Sequence, residues 1–123
     1  MKYQLLTAVV FTTLTASLAL AADEPNPIKD SMKYSHKAPK GEKKINEKII
    51  EGAATDAEIA KTLELYKAIG DTKPPKGDAA DFKAKVAKLV AATEEVVAKK
   101  PDAAMHYKEA VNCKACHSEH KAD

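Results

Sequence analysis

Apolar residues recur every three or four positions through most of the chain, which is the spacing that places them on one face of an α-helix. The longest such stripe lies in the second half of the sequence: Phe82, Val86, Leu89, Thr93 and Val97. An earlier stripe has the same spacing: Ile59, Leu63, Tyr66 and Ile69. No segment of the sequence shows the strict apolar and polar alternation of a half-buried β-strand. The pattern therefore predicts an all-α fold.

Capping and helix-breaking residues divide this pattern into separate helices. Thr55 and Glu58 form a capping-box sequence, in which each side chain bonds an unpaired backbone amide of the other, so a helix should begin after Thr55. Gly70 should end that helix, and Asp78 should open the next one. A last helix should follow Pro101, with four residues along one side: Ala104, Tyr107, Val111 and Ala115.

The segment before Thr55 is predicted to hold a shorter, interrupted helical region. A first helix over residues 28–37 would place Met32 and His36 one turn apart on one face. A proline and a glycine then break the pattern, and residues 42–51 resume it. Together with the two longer stripes and the last helix, these segments predict an antiparallel four-helix bundle with short links.

Residues 1–22 have the composition of a secretory signal peptide. Lys2 precedes a mostly apolar stretch over residues 5–20, and small residues at positions 19 and 21 predict cleavage after Ala21 or Ala22. The alternative is an uncleaved membrane anchor, but several threonines make the stretch weakly apolar, and it is short for a bilayer crossing. We expect one domain over residues 23–123, with no stable membrane insertion after cleavage.

The charge pattern excludes one class of partner. All 20 basic residues are lysines, and 18 acidic residues leave a net charge of only +2. Because the lysines are interleaved with carboxylates instead of forming a basic run, the chain lacks the charge pattern of a nucleic-acid-binding protein.

The chemistry of the chain is concentrated near its end, where residues 113–117 read Cys-Lys-Ala-Cys-His, the attachment sequence of c-type haem. Residues three apart lie on one face of a helix, so both thiols could reach the two vinyl groups at one porphyrin edge. The motif predicts one haem c, attached covalently through Cys113 and Cys116 on the C-terminal helix, with His117 as the proximal axial ligand of the iron. Because c-type haem is attached outside the bacterial cytoplasm, we expect a periplasmic or otherwise exported bacterial protein.

Two other interpretations of the cysteines remain open. A thiol redox pair of the thioredoxin type normally follows a strand in an α/β unit, whereas this motif ends an all-helical pattern. A zinc site with two cysteines and two histidines would use His106 or His120, but the usual finger spacing is missing. Otherwise both of these histidines are expected to be exposed.

The order of the helices and the motif resembles the class II c-type cytochromes, the family of cytochrome c prime and its low-spin relatives. The resemblance covers the five-residue motif on the last helix and the helix order before it. In that family the first helix covers the distal face of the haem, and low-spin members place a methionine ligand there. The resemblance therefore implies Met32 as a candidate distal iron ligand, with His36 as the alternative, and it allows a homodimer.

The expected function is single-electron transfer between redox partner proteins, without enzymatic activity. Methionine ligation raises the reduction potential of a haem and suits an electron carrier. An open sixth position would instead give a protein that binds nitric oxide or carbon monoxide. The sequence leaves open the sixth ligand, the reduction potential, the electron donor and acceptor, and the oligomeric state.

Overall fold

The structure is a computed structural model that describes residues 25–122 of the chain. The described residues form six α-helices and no β-strand: α1 (Pro27–Ser35), α2 (Ile45–Glu51), α3 (Asp56–Gly70), α4 (Ala79–Val97), α5 (Ala103–Ala110) and α6 (Cys113–His120). The predicted all-α class is therefore confirmed. The predicted signal peptide, residues 1–22, lies outside the described residues.

The helices pack against one another around one hydrophobic core. Helix α3 packs against α1 and α4, and α4 also packs against α5. The short helix α2 lies mainly against α5, and α6 contacts α4. Burial of apolar side chains between these helices stabilises the fold, and the core consists of Ile49, Tyr66, Ile69, Phe82, Val86, Ala92 and Tyr107. In the part of the chain described, no helix is both long and apolar enough to cross a membrane.

Three predicted ends of the two longest helices are confirmed, namely both ends of α3 and the start of α4. The Thr55 hydroxyl accepts a hydrogen bond from the Glu58 amide at 3.1 Å, and the Glu58 carboxylate accepts one from the Thr55 amide at 2.9 Å. Gly70 is the last residue of α3. The Asp78 carboxylate caps α4 by accepting a hydrogen bond from the Asp81 amide at 2.7 Å.

The prediction of one continuous last helix is wrong. Helix α5 ends at Ala110, because Val111 leaves the helical conformation with φ −78° and ψ 65°. The Asn112 side chain then accepts a hydrogen bond from the Ala115 amide at 3.0 Å and caps a new helix. The Cys-Lys-Ala-Cys-His motif therefore opens a short helix of its own, and its direction is independent of α5.

The earlier boundaries also differ slightly from prediction. Helix α1 ends at Ser35, two residues before the predicted end, and His36 is its C-cap. Helix α2 begins at Ile45, three residues after the predicted start, and ends as expected before Gly52. The shorter α1 leaves His36 at the end of the helix, where its ring lies close to α3.

Candidate cofactor pocket

One pocket brings together the five residues that the sequence analysis selected. It has a volume of about 410 Å³ and lies between α1, α4 and the segment that joins α5 to α6. This volume falls within the range of about 300–1,000 Å³ that is common for ligand-binding sites. The five residues that line it are Met32, His36, Cys113, Cys116 and His117. They come from opposite ends of the described chain.

The remaining lining of the pocket combines apolar side chains with two lysines. The apolar contribution comes from Val86, Leu89, Ala110, Val111 and Ala115. Lys85 and Lys88 also line the pocket, together with Glu109. These lysines were not among the predicted site residues, although their positions next to Val86 and Leu89 in the α4 stripe were a usable signal. The pocket can hold an apolar group that also carries negative charge.

We call the side of the pocket formed by Cys113, Cys116 and His117 the α6 wall. Cys113 is the first residue of α6 and is exposed, Cys116 is partly buried, and His117 is exposed. Both cysteines are free thiols. Burial raises the pKa of the Cys116 thiol, so this group is protonated at neutral pH.

A buried histidine at the C-terminal end of α6 holds the α6 wall in place. His120 is only 2% exposed, so the expectation that it is solvated is wrong. Its Nδ1 lies 3.0 Å from the Lys76 carbonyl oxygen, and its Nε2 lies 2.9 Å from Asp81 Oδ2. The ring also packs edge-on against Phe82, with 5.2 Å between centroids. These contacts fasten α6 to the start of α4.

A glycine permits this close approach. Gly77, in the turn between α3 and α4, has φ +83°, a conformation that favours glycine. A Cβ atom there would lie 2.5 Å from the Glu119 carbonyl oxygen and 2.8 Å from His120 Nδ1.

The Lys85 ammonium adds a further link between α4 and α6. It donates to Asp81 Oδ2 on α4 at 2.7 Å and to the Ala115 carbonyl on α6 at 3.4 Å.

We call the opposite side, formed by Met32 and His36, the α1 wall. Both side chains are partly buried. His36 Nε2 lies 2.9 Å from the Tyr66 hydroxyl oxygen, which in turn lies 2.8 Å from the Tyr107 hydroxyl oxygen. Both tyrosines are completely buried. The sequence placed both in helical core stripes, but it gave no indication that their hydroxyl groups bond to each other and to His36.

Burial determines the protonation states of the α1 wall. It lowers the pKa of His36 to about 4, and the nearby charges of His117 and Lys44 act in the same direction. Burial likewise raises the pKa of Tyr107 to about 12 and that of Tyr66 further. At neutral pH the three side chains are therefore a neutral imidazole and two protonated phenols.

The two histidines that a zinc site would need have other partners. His106 is exposed, as expected, and its Nδ1 lies 2.6 Å from Glu95 Oε2. His120 bonds to Asp81 and to the Lys76 carbonyl. Within residues 25–122, no group of three or more His, Cys, Asp or Glu side chains could hold a metal ion.

No family model, curated protein or solved structure matches this chain. The assignment of the pocket therefore depends on the cysteine motif and on the side chains around it.

Proposed function

We propose that this protein is an exported c-type cytochrome, which carries one haem c in the pocket and transfers single electrons between partner proteins. Cys113 and Cys116 attach the porphyrin, and His117 is the proximal iron ligand. The observation that carries the proposal is that both cysteines and the histidine of the attachment motif line the same pocket as Met32 and His36. Two thiols and an imidazole at this spacing provide the full set of groups that covalent haem attachment requires.

The chemistry of the pocket fits this group. A haem has two apolar faces and two propionates, and the pocket combines an apolar lining with Lys85 and Lys88. The hydrogen bond to Asp81 raises the pKa of Lys85, which keeps this lysine charged. The bound haem supplies the one-electron chemistry, while the chain attaches it, shields its faces from water and balances its propionates.

The resemblance to class II cytochromes belongs to the same proposal. The motif lies on the last helix, and the first helix α1 lines the pocket that the motif also lines. In this proposal α1, α3, α4 and α5 form the four-helix bundle, and α2 and α6 are additional short helices. Met32 supplies the distal ligand in this arrangement, and its thioether favours a high reduction potential.

The position of the motif favours haem attachment over a thiol redox function. A thioredoxin-type pair normally follows a strand in an α/β unit. The described residues 25–122 form helices and no strand, so that context is missing around Cys113 and Cys116.

The direct test is production of the full chain in a bacterium that expresses the c-type haem attachment machinery. We expect a coloured protein whose haem resists acid–acetone extraction and whose mass has increased by one haem. The matched control is the Cys113→Ala/Cys116→Ala variant, which should retain no covalent haem. A colourless wild-type protein without added mass would refute the proposal, and its zinc content would then test the alternative metal site.

The spectrum of the same sample separates an electron carrier from a gas-binding protein. An electron carrier with two axial ligands should have a low-spin spectrum that carbon monoxide leaves unchanged. Rapid carbon monoxide binding by the reduced protein would instead assign it to the gas-binding class. Amino-terminal sequencing of the exported protein tests the cleavage after Ala21 or Ala22.

A further inference from the structure

The α1 wall contains a chain of hydrogen bonds that haem attachment by itself does not require. It runs from Tyr107 on α5 to Tyr66 on α3 and ends at Nε2 of His36, with distances of 2.8 Å and 2.9 Å. The two phenol rings are stacked with their centroids 6.5 Å apart, and the Tyr66 and His36 rings lie 5.9 Å apart. Three helices therefore fix the position of one imidazole ring at the edge of the pocket.

One assignment of donors and acceptors gives each phenol hydrogen in this chain an acceptor. In this assignment Tyr107 donates to Tyr66, and Tyr66 donates to His36. His36 Nε2 is then the acceptor, and the ring hydrogen is on Nδ1. This arrangement requires a neutral imidazole.

This arrangement limits the metal chemistry of His36. A histidine binds iron through the lone pair of an unprotonated ring nitrogen, and a neutral imidazole has one such nitrogen. In His36 that lone pair accepts the hydrogen of Tyr66, while the other nitrogen carries a hydrogen. His36 consequently lines the pocket without a nitrogen lone pair to offer. Met32, one turn earlier on the same helix, also lines the pocket and has a thioether sulfur.

We propose that Tyr66, supported by Tyr107, is a positioning residue that keeps His36 from binding the iron and so reserves the distal position for Met32. The inference rests on the proposed haem function and deepens it, because it names the group that selects between two candidate ligands one turn apart. The selection has a functional consequence, since methionine gives a higher reduction potential than a second histidine does.

The test replaces Tyr66 by phenylalanine in the haem-loaded full-length protein. Without the hydroxyl group, His36 Nε2 regains a free lone pair and can compete for the iron. We expect loss of the near-infrared absorption band that marks methionine bound to ferric haem, a bis-histidine electron paramagnetic resonance signal, and a lower reduction potential. The matched control is Tyr34→Phe on α1, which removes a tyrosine hydroxyl outside the pocket and should retain the methionine band.

A double variant shows whether Tyr66 acts through His36. In Tyr66→Phe/His36→Gln no competing imidazole is left, so the methionine band should return. A general disturbance of the core would instead persist in the double variant and would overturn the inference. An unchanged methionine band in Tyr66→Phe would also overturn it.

A measurement on the wild-type protein covers the case in which Tyr66→Phe does not fold. The nitrogen-15 chemical shifts of His36 in the reduced protein should show Nδ1 protonated and Nε2 as a hydrogen-bond acceptor. An iron-bound His36 nitrogen in the wild type would overturn the inference. Failure to attach haem would refute the proposed function itself, whereas a haem-loaded protein with histidine in the distal position would refute only this assignment.

Discussion

The α1 wall and the α6 wall of the pocket are held in different ways. Behind the α1 wall lie buried hydrogen-bonded side chains, since Tyr66 bonds to Tyr107 and Thr62 bonds to Ser35. All four residues are at 0% exposure. The α6 wall lies on an eight-residue helix, on which Cys113 and His117 are exposed and Cys116 is partly buried. His120 is the buried residue that anchors this helix. The difference suits the proposed roles, because thiols that must react with an incoming porphyrin need access, whereas a distal ligand needs a fixed position.

The largest effect is expected from Gly77→Ala, which should detach the α6 wall. A Cβ at this position would lie 2.5 Å from the Glu119 carbonyl oxygen, and φ is +83°. Steric overlap with this oxygen and the strain of a left-handed backbone conformation both disfavour the alanine side chain. We therefore expect the free energy of unfolding to fall by about 2–4 kcal/mol, measured by urea denaturation.

The control for this prediction is Gly41→Ala. Gly41 has φ +91°, but no atom lies within 4 Å of the position of its Cβ, so only the backbone strain remains. We expect a loss of about 1–2 kcal/mol. Equal losses in the two variants would contradict the assigned role of the close contact with α6.

Low pH should lower the free energy of unfolding by a somewhat smaller amount, because His36 in the α1 wall becomes protonated. The pKa of His36 is lowered from 6.5 to about 4 in the folded protein. As the pH falls below 6.5, the unfolded chain takes up a proton at this histidine before the folded chain does, so stability falls. Between pH 6.5 and 4 the loss should reach up to about 3 kcal/mol, measured by urea denaturation at several pH values.

The matched variant for the acid prediction is His36→Gln, which retains a hydrogen-bonding group but does not titrate in this range. Its stability should depend less on pH than that of the wild type, and identical pH profiles would show that His36 is not responsible. His106 cannot cause the same loss. Its pKa is raised by Glu95, so its contribution is fully present at low pH and is lost as the pH rises.

The smallest change in the free energy of unfolding is expected from removal of one hydroxyl group of the pair that joins α1 to α3. Ser35 Oγ and Thr62 Oγ1 are 3.1 Å apart, and both residues are completely buried. Thr62→Val removes one partner of a buried hydroxyl group, which should lower the free energy of unfolding by about 1–2 kcal/mol. In a double-mutant cycle, Ser35→Ala/Thr62→Val should lose less than the sum of the two single changes. Strict additivity would mean that this hydrogen bond does not couple the helices.

Several features of the fold were predictable because their causes are local. The capping box of α3, its end at Gly70 and the start of α4 depend on side chains within a few residues of each helix end. The break between α5 and α6 was missed, because Val111 and Ala115 continue the helical spacing through it. Asn112 was the available signal, since asparagine directly before a new helix is a common N-cap.

The candidate site was predictable in part. The spacing of Cys113, Cys116 and His117 indicates haem attachment without any knowledge of the fold. Met32 and His36 came from the resemblance to a family, and the structure brings them to the same pocket as the motif. In the arrangement we propose, the choice between them depends on Tyr66, and no short-range pattern connects Tyr66 with His36.

The sequence by itself determined the helical class, both ends of α3, the start of α4 and the spacing of Cys113, Cys116 and His117, because all of these depend on neighbours within about one helical turn. Only the tertiary structure decided which side chains meet across the core. Tyr66 and His36 are 30 residues apart, and His120 and Asp81 are 39 apart. Such pairs form only where packed helices bring distant segments together, so the two walls of the pocket are properties of the folded chain.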